Sequence, residues 1–304
     1  MGQAHEAGGR IRRRAAALGR SAFFSAVAAL LTAASGGATP AATHHHHPPT
    51  AAEYWNRSRL LGAQPFIRQR RVPALGQSAA SHIAGPRQGL RIGALFVRDS
   101  GSDHFCTASV VTSPGKDLLI TAAHCINGGK SGGGYRKDIV FIPDYRDGQE
   151  PDGVWTPAKL LVAPQWAHSS NPAYDVGFVV LKPRDGKNIQ QVLGANRLGI
   201  DLHYQYLVHV TGYPDSSSAP ITCVNWTQRS SNAQLQFDCA GYTGGTSGSP
   251  WVISFSPRSH TGTIVGLIGG YQEGGNTPSV SYSPLLDPAI HQLYRQAEAD
   301  SSSS

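Results

Sequence analysis

The sequence is poor in charged residues and lacks a long apolar run. Only 15% of its 304 residues are Asp, Glu, Lys or Arg. The longest apolar run, from Ser21 to Ala34, is shorter than the roughly 20 apolar residues that a membrane-spanning helix needs. Glycine and proline are abundant, with 35 and 20 residues, which favours a turn-rich, all-β protein over a helical one. The length suits one large domain or two small ones.

The folded body also lacks a basic surplus, although the isoelectric point is near 9.4. Residues 1–91 hold 12 arginines, no lysine and 2 glutamates, a formal charge of +10. The remaining residues hold 14 basic and 17 acidic side chains, a charge of −3. Because a nucleic-acid interface needs its basic patch on the folded domain, we expect no nucleic-acid partner.

The N-terminus has the pattern of a secretory signal peptide. Five arginines precede the apolar run of residues 21–34, and small residues follow it: Arg10, Arg12, Arg13, Arg14 and Arg20, then Ser35, Gly36, Gly37 and Ala38. We predict a signal peptide over residues 1–40, cleaved between Ala34 and Ala42; an uncleaved membrane anchor is the alternative. A cleaved chain would be secreted and extracellular, without a membrane association.

Residues 41–90 are rich in Pro, Ala, Ser, Gln and Arg and show no sustained period of 2 or 3.6. We interpret them as a pro-segment or a disordered N-terminal extension. Arg68, Arg70 and Arg71 form a basic cluster that another protease could cut; a solvated charge run is the alternative.

From residue 91 onward, short apolar runs alternate with clusters of Gly, Pro, Asn and Asp. Each run has the length and the Val, Ile, Phe, Tyr or Thr content of a strand. A barrel or sandwich is therefore expected. Leu286, Ile290, Leu293 and Tyr294 recur at helical spacing after this, and predict one short C-terminal helix. The predicted strands are Ile92–Val97, Phe105–Thr112, Leu118–Thr121, Ile139–Ile142, Val176–Leu181, Tyr206–Thr211, Ile221–Thr227, Gln234–Phe237, Trp251–Phe255 and Thr263–Ile268.

Three segments carry residues suited to nucleophilic catalysis. Residues 121–125 read Thr-Ala-Ala-His-Cys directly after an apolar strand, and Asp175 precedes the apolar run of residues 176–181. Residues 244–251 read Gly-Gly-Thr-Ser-Gly-Ser-Pro-Trp, a glycine-rich turn around Ser247. A serine hydroxyl needs an adjacent base, and imidazole titrates in the right range. The imidazole in turn needs a carboxylate to hold its tautomer.

These roles give a candidate triad of His124, Asp175 and Ser247. A glycine-rich turn also lets backbone N–H groups approach a developing oxyanion, and we assign the amides of Gly245 and Ser247 to that role. Alternatives remain open for two positions. Asp138 or Asp201 could replace Asp175, since both lie between His124 and Ser247, and Ser249 is the rival nucleophile.

The histidine and serine segments resemble the corresponding motifs of the chymotrypsin-like serine proteases, in the bacterial, glutamyl-endopeptidase-like branch. The order His, Asp, Ser matches that of chymotrypsin. The resemblance implies two packed six-stranded antiparallel β-barrels over residues 91–300, with the triad in the cleft between them. It further implies the disulfide Cys106–Cys125 and, for the remaining pair, Cys223–Cys239.

The sequence departs from the family at two places. Thr246 stands where many animal members carry an acidic residue that pairs with a freed N-terminal amine, so that activation switch is not expected. The family's specificity pocket maps onto five residues: Tyr242, Thr243, Ile268, Gly269 and Gly270. None is a carboxylate or a histidine, which argues against trypsin-like or glutamyl specificity and favours a partly apolar pocket.

The predicted function is therefore that of a secreted serine endopeptidase acting on protein or peptide substrates, with a zymogen-like precursor. The chemistry needs no metal and no organic cofactor, and we expect a monomer. The alternative from another class is a non-catalytic binding module with the same fold.

Overall fold

The computed structural model describes residues 48–67, 78–200, 203–231 and 233–301. The predicted signal peptide and the basic cluster at residues 68–71 lie outside these ranges. The described chain is mainly β-structure. Its strands are β1 Gln64–Pro65, β2 Ala79–Ala80, β3 His82–Ile83, β4 Ile92–Asp99, β5 Ser102–Val111, β6 Leu118–Thr121, β7 Lys137–Pro143, β8 Pro157–Val162, β9 Gly177–Leu181, β10 Arg197–Leu198, β11 Leu207–Gly212, β12 Ile221–Ser231, β13 Gln234–Ala240, β14 Pro250–Ser256, β15 Thr261–Leu267 and β16 Val280–Pro284.

Short helices join the strands, and one longer helix ends the described chain. They are α1 Ala51–Tyr54, α2 Arg57–Gly62, α3 Ala123–Ile126, α4 Pro164–Ser169, α5 Ile189–Leu193 and α6 Pro288–Ser301, with 3₁₀ turns at Gly129–Ser131, Pro172–Tyr174 and Tyr271–Gly274. The predicted C-terminal helix is present and continues to Ser301, beyond the apolar residues that indicated it.

Two curled antiparallel sheets form the body, as expected for the chymotrypsin fold. The first has the strand order β7-β4-β5-β6-β9-β8, and β1 lies parallel to β5. The second has the order β15-β14-β11-β12-β13-β16, extended by β10, β2 and β3. Each sheet thus contains six antiparallel strands, in agreement with the six-stranded barrels that the family resemblance implies.

Burial explains why the central strands of the first sheet are so apolar. All residues of β6 and β9 are buried, so both faces of these strands pack against protein, as in a sheet covered on both sides. One covering layer is α6, whose Ile290, Leu293 and Ala297 follow helical spacing and join the core of the first sheet. No helix in the described part of the chain is both long and apolar enough to span a bilayer.

The described parts of residues 41–90 are packed, which differs from the disordered alternative. Trp55 and Leu60 are only 2% and 3% exposed, and the Trp55 indole N–H donates to the carbonyl oxygen of Asp138. Strands β2 and β3 pair with β13 and β12, so the folded body begins before residue 91. A few large apolar side chains are enough to pack such a segment against the body. They do not recur with the period of a strand or a helix, so the sequence pattern did not indicate this packing.

We expect the Ile290→Ala substitution to lower the free energy of unfolding by about 2–5 kcal/mol, because it empties a fully buried site under the first sheet. Gln292→Ala, at an exposed position of the same helix, should change it by less than about 0.5 kcal/mol. Urea titration of both variants measures the difference, and equal midpoints would show that α6 does not stabilise the sheet.

Candidate active site

The position of His124 follows from the end of strand β6. The strand stops at Thr121, whose hydroxyl donates to the carbonyl oxygen of Thr107 at 2.8 Å, and the single turn of α3 begins two residues later. Cys125 of this turn is bonded to Cys106 on β5, with the pairing that the family resemblance implies. The bond and the strand together fix the imidazole of His124, which is 3% exposed.

Asp175 lies two residues before β9 and directly after the 3₁₀ turn Pro172–Tyr174. Asn171 caps this turn, since its side-chain oxygen accepts a hydrogen bond from the amide of Ala173. Its carboxylate is fully buried and accepts three hydrogen bonds. Oδ2 accepts from Nδ1 of His124 at 2.8 Å and from the amide of Gly270 at 2.8 Å, and Oδ1 accepts from the amide of His124 at 2.9 Å. The carboxylate therefore holds Nδ1 as the protonated ring nitrogen.

Ser247 lies on the tight turn between β13 and β14. Gly245 and Gly248 have φ values of +92° and +86°, which disfavour any residue with a Cβ. The hydroxyls of Thr246 and Ser249 close the turn by donating to the carbonyl oxygens of Thr243 and Thr246, at 2.7 and 2.6 Å. The hydroxyl of Ser247 makes no such hydrogen bond to the residues that the structure describes, so it does not serve to close the turn.

Thr107 on β5 brings the serine turn against the histidine turn. Its amide donates to the carbonyl oxygen of Ser247 at 2.8 Å, and its hydroxyl donates to that of Gly245 at 3.1 Å. Gly248 packs so tightly here that a Cβ would lie 2.0 Å from the Thr107 carbonyl oxygen. Sequence reasoning missed Thr107, because a threonine within an apolar strand carries no signal of its own.

The Nε2 atom of His124 is buried and has no hydrogen-bond partner among the described residues. The hydrogen bond from Ser247 to His124 is therefore not formed in this structure. Catalytic hydrogen bonds often tighten only when substrate binds. The amides of Gly245 and Ser247, predicted for the oxyanion, donate to no residue in the described ranges. Their assignment remains a prediction, as does that of the triad.

Burial and the neighbouring carboxylate act on His124 in opposite directions. Burial is the largest single influence and lowers the pKa, because it disfavours the charged imidazolium. The charge and the hydrogen bond of Asp175 both raise it, and the net pKa is above the ordinary value of 6.5. The site therefore stabilises the imidazolium that a proton transfer from serine would produce.

The alternatives to Asp175 and Ser247 gain no support from the geometry. Asp138 pairs with Arg98 at 3.4 Å and does not contact His124, whereas Asp201 lies outside the described residues. The Ser249 hydroxyl is fully buried and donates within the turn.

The five predicted pocket residues have different surroundings. Tyr242 is fully buried, and its hydroxyl donates to the carbonyl oxygen of Val210 at 2.8 Å, a contact that belongs to the core of the second sheet. Ile268 is also buried, whereas Thr243 is half-buried. Gly269 and Gly270 lie against Asp175, and Gly270 donates to it. That second role of Gly270 was not apparent from the sequence, and the pocket assignment stays a prediction.

Cys106, Cys125 and His124 bring three potential metal ligands within 4.8 Å of one another. Both sulfurs belong to a disulfide, so neither is available as the thiolate that a metal would need. The second disulfide joins Cys223 on β12 to Cys239 on β13, as the resemblance also implies.

No family model and no curated protein matches the sequence, but solved structures do. The protease Anisep from Arthrobacter nicotinovorans is 29% identical, with a TM-score of 0.65, over 72% of this chain and 99% of that chain. The thermostable serine protease AL20 from an extremophilic microorganism is 25% identical, with a TM-score of 0.64, over 70% and 99%. The chain has the fold of the chymotrypsin-like serine proteases.

More distant chymotrypsin-like structures show the fold alone. A Glu endopeptidase is 15% identical, with a TM-score of 0.57, over 75% of this chain and 100% of that chain. Human heparin binding protein is 12% identical, with a TM-score of 0.52, over 71% and 94%. Because one of these chymotrypsin-like proteins is named for binding, the fold does not by itself establish catalysis. The bacterial protease neighbours nevertheless support a serine protease function.

His124 and His209 should titrate on opposite sides of the ordinary value of 6.5. Burial lowers the pKa of His209, and His82 and His260 lower it further, whereas Asp175 raises that of His124. In the Asp175→Asn variant the burial of His124 remains without the carboxylate charge, so its pKa should fall below 6.5 while that of His209 stays unchanged. NMR titration of the imidazole protons measures both, and a wild-type His124 below 6.5 would contradict the argument.

Gly245→Ala should destabilise the protein more than Gly134→Ala. The two glycines have similar φ values, +92° and +90°, so both variants carry the backbone cost of about 1–2 kcal/mol. A Cβ on Gly134 meets open space, but one on Gly245 would lie 2.2 Å from the ring of Phe105, which adds about 1–3 kcal/mol. Denaturant unfolding measures the difference; equal losses would mean that the turn does not pack as described.

Proposed function

We propose that this chain is a secreted serine endopeptidase that hydrolyses peptide bonds through an acyl-enzyme intermediate. The observation that carries the proposal is the buried pair of His124 and Asp175. It holds the proton on Nδ1, and within the described ranges neither Nε2 nor the Ser247 hydroxyl of the neighbouring turn has a hydrogen-bond partner. The protease neighbours, at 25% and 29% identity, support the same function.

In the proposed reaction, the Oγ atom of Ser247 attacks the scissile carbonyl carbon and its proton moves to Nε2 of His124. The amides of Gly245 and Ser247 stabilise the oxyanion. When the C–N bond breaks, the imidazolium gives its proton to the leaving amine, and the acyl group stays on Ser247. A water molecule then gives a proton to Nε2 of His124 while its oxygen attacks the acyl carbon. The bond between that carbon and Oγ breaks, the acid leaves, and the imidazolium returns its proton to Oγ of Ser247.

The same proposal includes the cellular setting and the partners. The leader pattern of residues 1–40 and the two disulfides suit an extracellular protein, since disulfides persist in oxidising compartments. Its partners would be protein or peptide substrates, and it would act as a monomer. The Thr246 hydroxyl is satisfied within its own turn, so activation need not supply an N-terminal amine to a carboxylate at this position.

A fluorophosphonate probe tests the function, since it reacts with a serine that a base and an oxyanion site activate. We expect mass spectrometry of the mature secreted protein to place the label on Ser247. Ser247→Ala and His124→Ala should lose both the label and peptide hydrolysis, whereas Ser249→Ala should keep the label. An unlabelled Ser247 in a folded, processed chain would favour the non-catalytic binding module.

A further inference from the structure

The chain's own residues 64–67 lie beside the candidate nucleophile. Strand β1 pairs in parallel with β5, with Gln64 opposite His104 and Pro65 opposite Phe105. The same segment touches the serine turn at Gly244. A Cβ on that glycine would lie 2.0 Å from the carbonyl oxygen of Ile67 and 2.7 Å from Cβ of Pro65. Backbone from the N-terminal region therefore covers the residue next to Gly245.

Phe66 anchors this segment between two side chains of the first sheet region. Its ring stacks on the imidazole of His104, with centroids 4.3 Å apart and planes 9° from parallel. The Arg136 guanidinium carbon lies 4.8 Å from the ring centroid, within the range of a cation–π contact. The amide of Arg136 donates to the carbonyl oxygen of Ile126 at 2.9 Å, and Ile126 ends the α3 turn that carries His124.

Arg136 is itself held in place, so the site is built rather than incidental. Its guanidinium pairs with Asp99 at 2.6 Å, and its side chain is only 10% exposed. An extended segment that pairs with a strand edge and places one side chain in a pocket is a common mode of peptide recognition. Residues 64–67 thus combine strand pairing with β5, an anchored side chain and contact with the serine turn, which are the contacts that a peptide bound beside Ser247 would make.

We propose that residues 64–67 form an inhibitory strand in the unprocessed chain, and that His104 and Arg136 form a subsite that accepts an aromatic side chain of the substrate once this strand leaves. The proposal rests on the function proposed above. Thr246 stands where many animal members carry the acidic residue of their activation switch, so that switch is not expected here. The inhibitory strand would keep the precursor inactive by another route. Cleavage after the strand would free its C-terminal end, so that residues 64–67 could move away from β5 while Trp55 and Leu60 stay in the core. The freed edge of β5 would then pair with substrate.

The test uses the full chain with a recognition sequence for a site-specific protease in place of residues 69–75. We expect slow fluorophosphonate labelling and slow peptide hydrolysis before the cut. Both should rise at least about tenfold after the cut, the effect of losing an aromatic anchor from an interface. Labelling that is equally fast before and after the cut would overturn the inhibitory strand. No labelling of Ser247 in either form would instead overturn the proposed function.

The Phe66→Ala variant tests the contribution of the stacked ring separately from that of the rest of residues 64–67. In the uncut chain it should increase the rate of labelling at least about tenfold, because the stacked ring holds the strand. Leu61→Ala removes an apolar side chain that is 51% exposed in the preceding helix α2, and should leave the rate unchanged. Equal rates in the two variants, with unchanged near-ultraviolet circular dichroism, would contradict the role of Phe66.

A peptide of residues 58–67 provides a measurement that does not depend on folding of a variant. It should inhibit the cut enzyme competitively, and the same peptide with alanine in place of Phe66 should inhibit at least about tenfold more weakly. Substrate profiling of the cut enzyme should show a preference for an aromatic residue that Arg136→Ala diminishes. Equal inhibition by both peptides, or an unchanged preference, would overturn the subsite.

Discussion

The buried carboxylate of Asp175 is the constraint on which the site depends. A buried charge is tolerated only when hydrogen bonds replace the lost water, and here the three donors come from two distant parts of the chain. Two belong to His124, after β6 of the first sheet. The third is the amide of Gly270, after β15 of the second sheet. Satisfying one carboxylate thus requires the imidazole, the aspartate and the second sheet to be in place together.

The serine turn depends on a complementary constraint, the space available to its backbone. Glycine at 245 and 248 permits left-handed φ values and close contact with Phe105 and Thr107. The flanking hydroxyls of Thr246 and Ser249 satisfy the turn from within. The four residues that flank Ser247, two on each side, therefore each have a structural role, which explains why the motif was more informative than its serine alone.

The strands of the two sheets differ in how clearly the sequence indicates them, and β8 and β16, each at the end of a sheet, were not predicted. Leu118–Thr121 was predicted with its observed bounds because all four residues are apolar or β-branched and fully buried. In strand β8 only Leu161 is buried, and in β16 serines alternate with the other residues, so neither shows the continuous burial of β6. At the site, motif residues were predictable by chemistry. The contributions of Thr107 and the Gly270 amide were not predictable, because neither a backbone donor nor a tertiary contact can be recognised from the type of the residue.

Thr107 has a consequence for how such a protein can vary. Its amide, carbonyl and hydroxyl contact the serine turn, the end of β6 and the amide of Tyr213, so one residue of the first sheet is bonded both to the serine turn and to the residue that follows β11. In a chimera that joined the first half of this chain to the second half of a relative, Thr107 would come from one protein and the serine turn that it contacts from the other. The two halves are therefore exchangeable only between relatives whose turns match at this single threonine.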